Sequence, residues 1–286
     1  MKKIALVFFA AIVSLAARSQ SMESYVQEGE FGIGIGAGHY FGDLNTRASL
    51  NRPKFSAGAF FVKQFGPYTG LKLGVNYAML GYSDTYSSNE VQNRRNLSFN
   101  TNLWEFAVSG QFNFFKFYPG VSGFTYTPYV SLGVGVFTYD PYAYLNGQKY
   151  FLRPLGTEGQ GSALYPDRKP YGSMAVCFPI AVGFKYNLNP EINLFAEVGY
   201  RFATTDYLDD VSLTFTPDAF APSPNGQPSV AMLLSDRSYE TGTRIGIKGR
   251  QRGNSQQKDA YVLAQVGVSF NITSYKCPTV GGKAKF

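Results

Sequence analysis

The sequence predicts an all-β chain: an eight-stranded antiparallel transmembrane β-barrel of the outer membrane with four long outer loops. Three observations carry that prediction. Apolar residues recur at every second position over eight segments, ending with residues 261–272. An apolar run over residues 4–17 follows the basic start Met1-Lys2-Lys3, the layout of an export leader and too short for a comfortable membrane helix. Aromatic residues make up 16% of the chain and Gly occupies 31 positions, a composition suited to aromatic girdles and glycine-lined strands.

The predicted strands follow in order. Residues 30–40 put Phe31, Ile33 and Ile35 on one face and Gly32, Gly34, Gly36 and Gly38 on the other. Residues 54–64 turn Phe55, Ala57, Ala59 and Phe61 outward, and residues 70–80 do so with Leu71, Leu73, Val75, Tyr77 and Met79. Residues 102–114 present Trp104, Phe106, Val108, Phe112 and Phe114; residues 128–139 present Val130, Leu132, Val134 and Val136. Residues 173–186 present Val176, Phe178, Ile180, Val182 and Phe184; residues 191–202 present Ile192, Leu194, Ala196, Val198 and Tyr200. In the last strand the even positions from Val262 to Ile272 are apolar. Its Gln265, Gly267, Phe270 and Ile272 resemble the terminal signal by which outer-membrane barrels reach their insertion machinery, an expected partner. Each segment approaches the 9–11 residues that a tilted strand needs to cross a bilayer.

The connections alternate. Residues 65–69 and 187–190 are short, 116–127 is a somewhat longer turn, and 41–53, 81–101, 140–172 and 203–259 are long. Short turns at one end and long loops at the other is the asymmetry of outer-membrane barrels, with the short turns facing the periplasm. An even strand number then puts both termini in the periplasm. A soluble lipocalin-like barrel would need the apolar face inside. Here the inward set is polar and glycine-rich, while the aromatic set is large and continuous.

The predicted domains are a signal peptide over 1–19, a short periplasmic segment over 20–28, the barrel over 29–272 and a periplasmic tail over 273–286. Ala17 and Ser19 supply the small residues of a cleavage site before Gln20. Loss of Lys2, Lys3 and Arg18 with the leader takes the formal charge from +7 to +4. The remaining basic residues are dispersed, which argues against nucleic-acid binding. Cys177 and Cys277 are expected to stay unpaired, and two Cys with one His make no metal cluster.

Eight strands enclose a lumen barely wide enough for side chains. Its inward charges must be paired, and Lys72, Lys185 and Arg201 against Glu105 and Glu197 are placed to do so. The lumen is therefore expected to be a packed polar network and not a solute channel. A lipid-modifying enzyme would use Ser and His at the lipid boundary. The single His39, with Asp43 four residues on, has no identifiable Ser partner. No cofactor loop or metal signature is present, so no cofactor is expected. Asp206, Asp209 and Asp210 cluster without the spacing of a calcium loop, and a hydrogen-bonded strand cap is the expected role.

Six loop segments occur in order: Phe41-Gly42-Asp43-Leu44-Asn45, Arg95-Asn96-Leu97-Ser98-Phe99, residues 154–161, residues 205–212, Leu234-Ser235-Asp236-Arg237-Ser238 and Gln251-Arg252-Gly253-Asn254. Together they resemble a Bacteroidota outer-membrane β-barrel family that includes the PorG component of the type IX secretion system. The resemblance spans about residues 30–272. It implies a non-enzymatic role, tying a periplasmic lipoprotein ring to the outer membrane. From the residues themselves, Asp209, Asp210, Asp236, Arg237, Arg252 and Asn254 carry opposite charges on different loops and are the candidates for an ordered outer cap. The surfaces open to a ring are the 116–127 turn and the tail, whose Lys276, Lys283 and Lys285 suit an acidic partner. A small-solute or hydrophobic-compound channel is the alternative function, and the lipid-modifying enzyme a second.

Overall fold

The computed structural model describes residues 25–222 and 225–275. Residues Gln27–Ile272 form one compact unit. The predicted leader over 1–19, Cys277 and the tail lysines Lys276, Lys283 and Lys285 lie outside the described residues.

Alternation becomes strand throughout. The described residues contain β1 (Tyr25–Phe41), β2 (Lys54–Gln64), β3 (Thr69–Ser83), β4 (Ser98–Asn113), β5 (Tyr126–Thr138), β6 (Tyr142–Leu145), β7 (Gln148–Phe151), β8 (Met174–Asn187), β9 (Ile192–Ala203) and β10 (Ala260–Tyr275). Hydrogen bonding runs β3-β2-β1-β10-β9-β8-β5-β4, and β4 pairs back on β3, so eight strands close into a barrel with no free edge. The registers are antiparallel, for example Ala57↔Tyr77 between β2 and β3 and Gln265↔Glu197 between β9 and β10. Closure is what a bilayer requires of a sheet, because an unpaired edge has no water to bond there.

The outer wall is apolar. Ile35 is 63% exposed, Trp104 57%, Leu132 61%, Val182 61% and Val266 59%. Burying such a wall against hydrocarbon instead of water is what makes it stable. Aromatic contacts thicken it near both ends: Phe112–Phe114 and Tyr126–Phe184 toward the short turns, Tyr77–Trp104 and Tyr200–Phe202 toward the long loops. The chain is thus a transmembrane β-barrel of the outer-membrane type. No helix of the described residues is long and apolar enough to cross a membrane.

Two features depart from the sequence expectation. The connection over 140–172 is not irregular throughout: β6 and β7 form a hairpin that pairs onto β4 through Asn100↔Tyr142. Its turn, Asn146-Gly147, has both residues at positive φ, the backbone that a two-residue hairpin turn demands. The lumen is also not polar along its whole length. Toward the loops it is filled by Leu80, Leu103, Phe137, Tyr261 and Leu263, with Tyr40 and Phe99 above them. In β10 these apolar positions share their parity with Gln265 and Ser269, so the sequence alone gives the face a mixed or polar character.

Candidate functional site

Charge in the lumen is arranged in levels, each built from strands that lie across the barrel from one another. Nearest the short turns, Lys185 of β8 pairs with Glu30 of β1, both fully buried. Glu30 also accepts from Ser269 Oγ at 3.2 Å and Asn193 Nδ2 at 3.3 Å. The sequence expectation sets Lys185 against Glu105 or Glu197; its ion-pair partner is instead Glu30. Glu30 shares parity with Gly32 and Gly34, which is the signal that marks it as inward.

At the next level Lys72 Nζ sits 2.5 Å from Glu197 Oε2, and the Tyr129 hydroxyl donates to the same oxygen at 2.8 Å. Lys72 also lies over the Phe60 ring, 4.6 Å from its centroid. Above this, Arg201 Nε meets Glu105 Oε2 at 3.2 Å. Glu105 further accepts from Tyr261 at 2.6 Å and from Asn76 at 2.8 Å. Cys177 faces this level, its thiol 3.6 Å from the Tyr261 hydroxyl. Each of these three carboxylates therefore has a cation and neutral donors, the condition under which buried charge is tolerated. The void between these groups is about 30 Å³, lined by Lys72, Asn76, Glu105, Glu197 and Arg201 among others. That is room for about one water. The apolar layer of Leu80, Leu103, Phe137 and Leu263 closes the lumen above it.

The long loops form a second ionic nucleus over that layer. Arg95, at the end of the short helix Glu90–Arg95, forks onto Asp84 with both contacts at 2.7 Å. It also donates to the Asp43 carbonyl at 2.9 Å, joining the second loop to the first. Arg252 meets Glu158 at 3.0 Å and Asp210 at 3.6 Å, joining the fourth loop to the third. Asp210 further accepts from the hydroxyls of Thr157 and, at 2.6 Å, Tyr171. Tyr40, projecting from the top of β1, donates to Asp209 and, at 3.1 Å, to Asp259.

Of the six sequence candidates, Asp209, Asp210 and Arg252 lie in this nucleus, and the Asn254 N–H reaches it through Asp43 at 2.8 Å. Asp236 and Arg237 do not join it through their side-chain charges. Asp236 holds the Gly246 N–H at 3.0 Å and Ser238, while Arg237 pairs with Glu240 at 3.0 Å and reaches Ser98 at 3.0 Å. The three acids read as a cluster go separate ways: Asp206 takes the Ser212 hydroxyl at 2.6 Å, Asp209 takes Tyr40, and Asp210 takes Arg252. Glu158, Arg95, Asp84, Tyr40 and Asp259 are members that sequence reasoning does not single out. Three of them sit at or inside the loop motifs (Tyr40 just before, Arg95 and Glu158 within), but which of them meet depends on how four loops converge.

The cap is acidic within and basic without. Among the described residues of these loops, Asp43, Asp84, Glu158, Asp206, Asp209, Asp210, Asp236 and Asp259 are buried against only Arg95 and Arg252. Exposed on the same loops are Arg47, Arg52, Lys149, Lys169, Arg244, Lys248, Arg250 and Lys258. Burial pushes the Asp206 and Asp210 carboxyls up to about 6, against hydrogen bonds and cations that pull them down. Asp209 and Asp259 are pushed well up, by burial first and by neighbouring carboxylates second.

His39 does not form a catalytic pair. Its Nδ1 donates to the Tyr40 carbonyl at 2.9 Å, and its ring stacks on Phe41 at 5.2 Å. Asp43 is engaged instead by Asn254. Among the described residues no group of three or more His, Cys, Asp or Glu is placed to hold a metal ion.

A family described as a domain of unknown function, DUF6089, matches residues 6–154. No curated protein matches the sequence. Among solved structures, the chain is similar to Neisserial surface protein A, with 10% identity and a TM-score of 0.42 over 87% of this chain and 100% of that one. It is similar to Ail, the attachment invasion locus protein of Yersinia pestis, with 10% identity and a TM-score of 0.39 over 88% and 100%. A major outer membrane protein of Thermus thermophilus gives 14% identity and a TM-score of 0.39 over 85% and 99%.

Proposed function

The chain belongs to the DUF6089 family, and from its own geometry we propose a non-enzymatic outer-membrane barrel that works through its ends and outer wall, not through its lumen. The observation that carries this reading is the stacked closure: paired charges at three levels, an apolar layer, and a cap of four converging loops. The void among the paired charges holds about 30 Å³ and the apolar layer lies over it, which supports a filled barrel over a solute channel.

Within that reading we assign the protein an anchoring role in protein export, as a component of type IX secretion that tethers a periplasmic lipoprotein ring. The support is the ordered set of six loop motifs. The short turns and both termini then face the periplasm, and the connection between β4 and β5 is the broadest short-turn surface. It exposes Phe115, Val121 and Phe124 beside Lys116. Basic Lys276, Lys283 and Lys285 are the second proposed contact, toward an acidic partner patch.

The test is an affinity pull-down of the tagged protein from detergent-solubilised outer membranes, with mass spectrometry of what it retains. A periplasmic lipoprotein and its partner should come with it, and should be lost when residues 273–286 are trimmed or Phe115 and Phe124 become Ser. Recovery of the barrel alone would sink the anchoring role. Steady conductance in planar bilayers would favour the channel reading instead.

A further inference from the structure

The outer wall does not end at its aromatic girdle on every side. Hairpin β6–β7 continues it upward from the β4–β5 pair, joined by Asn100↔Tyr142 four residues beyond Trp104. Its two faces differ. Ala143 and Leu145 turn inward onto the apolar core beneath the cap. Tyr142, Tyr144 and Phe151 turn outward, Tyr144 50% and Phe151 44% exposed. On β4 the bridge to Tyr142 lies on the same outward parity as Trp104, with Asn102 between them, so the hairpin's aromatic face stands directly above the girdle pair Tyr77–Trp104. Lys149 is exposed on this same face, its Nζ 3.7 Å from the Tyr142 ring centroid and 4.6 Å from that of Phe151.

Three outward aromatics on one short hairpin are poorly placed in water. At a membrane boundary they are well placed, because a ring with a polar edge suits the headgroup level. A lysine held over those rings carries its charge to the height of the lipid phosphates, its stem lying along apolar surface. We propose that this hairpin is a membrane-contacting extension of the barrel wall, and that Lys149 binds the anionic headgroup of a bordering lipid. The proposal rests on the outer wall facing lipid. It goes beyond anchoring in assigning the hairpin to the bilayer and not to a protein partner.

The test uses the full protein refolded into vesicles of phosphatidylcholine with phosphatidylglycerol, one or the other brominated near the top of its acyl chains. Trp104 is the only tryptophan, so Trp104→Phe with Tyr144→Trp moves the fluorescent reporter onto the hairpin. The expected result is strong quenching of the Tyr144→Trp reporter by brominated lipid and weak quenching by aqueous acrylamide. Brominated phosphatidylglycerol should quench at least two-fold more than brominated phosphatidylcholine at equal mole fraction. Lys149→Gln should bring that ratio to one while leaving the lipid quenching itself in place. Free acrylamide access with no lipid quenching would overturn the membrane contact. Equal quenching by the two lipids, unmoved by Lys149→Gln, would overturn the headgroup site. The parent protein separates these failures from failure of the barrel reading: its own Trp104 must be quenched by brominated lipid if the wall faces the bilayer.

Discussion

Arg252 shows what a single side chain does in this molecule. It is buried with Glu158 and Asp210 and also donates to the carbonyls of Ser235, at 3.0 Å, and Asp210. Arg252→Met would leave Glu158 as a buried charge without its cation, at a cost of ~3–5 kcal/mol. The expected outcome is faster hydrogen exchange across residues 204–259 with the strands unchanged, since the cap can open without the barrel. Exchange as slow as the parent's would refute that role. The buried carboxyls add a pH dependence. Asp206 and Asp210 rise from an ordinary 3.8 to about 6. A carboxyl whose pKa is raised on folding stabilises fully below the unfolded value, and that stability is lost as pH rises through the folded one. Asp43, Asp84, Asp209 and Asp259 shift in the same direction, burial being the first cause of each. The cap should therefore be tighter at pH 5 than at pH 7.5, read as exchange protection corrected for its intrinsic pH dependence. Protection that falls on acidification would contradict the burial of these groups. Their clustering was only partly legible in the sequence. Asp209, Asp210 and Arg252 stand out as opposite charges in loops, but Tyr40 looks like the polar end of a strand until the fourth loop is folded over it.

At the scale of elements, strand parity was legible and the seam was not. Alternation is local chemistry, so the outward set Phe31, Ile33, Ile35 follows from the order of residues alone. What the inward glycines do depends on which strand lies beside them. At the junction of β1 and β10, a Cβ on Gly36 would collide with the Ala264 carbonyl oxygen, and one on Gly267 with that of Ile33. Gly74 in β3 has open space, its nearest atom 4.0 Å away. Gly36→Ala should accordingly reduce the fraction of protein that runs as the compact, heat-modifiable form in gel electrophoresis, whereas Gly74→Ala should not. Equal behaviour of the two variants would show that close strand approach is not what the seam requires. Gly183 serves differently: the Tyr129 ring lies across it, and that placement lets the Tyr129 hydroxyl reach Glu197.

For the molecule as a whole, the question is how eight strands bury so much charge and remain closed. Lys185 and Glu30 are both fully buried. Removing one leaves the other stranded, while removing both with apolar or neutral replacements of similar size is far less costly. The double variant Glu30→Gln with Lys185→Met should therefore unfold at a higher urea concentration than Lys185→Met alone; the reverse order would mean the pair is not coupled. Neither variant should conduct in planar bilayers, because the levels above remain filled by Lys72–Glu197, Arg201–Glu105 and the apolar layer. By itself the sequence determined the strand faces, the two classes of connection and the membrane-type wall, since each rests on residues close together in the chain. Only the tertiary structure decided that Lys185 meets Glu30, that four loops share one ionic nucleus, and that β6–β7 extends the wall. Those pairings depend on closure and stagger, which bring together residues as far apart as Glu30 and Lys185, and no local pattern encodes that distance.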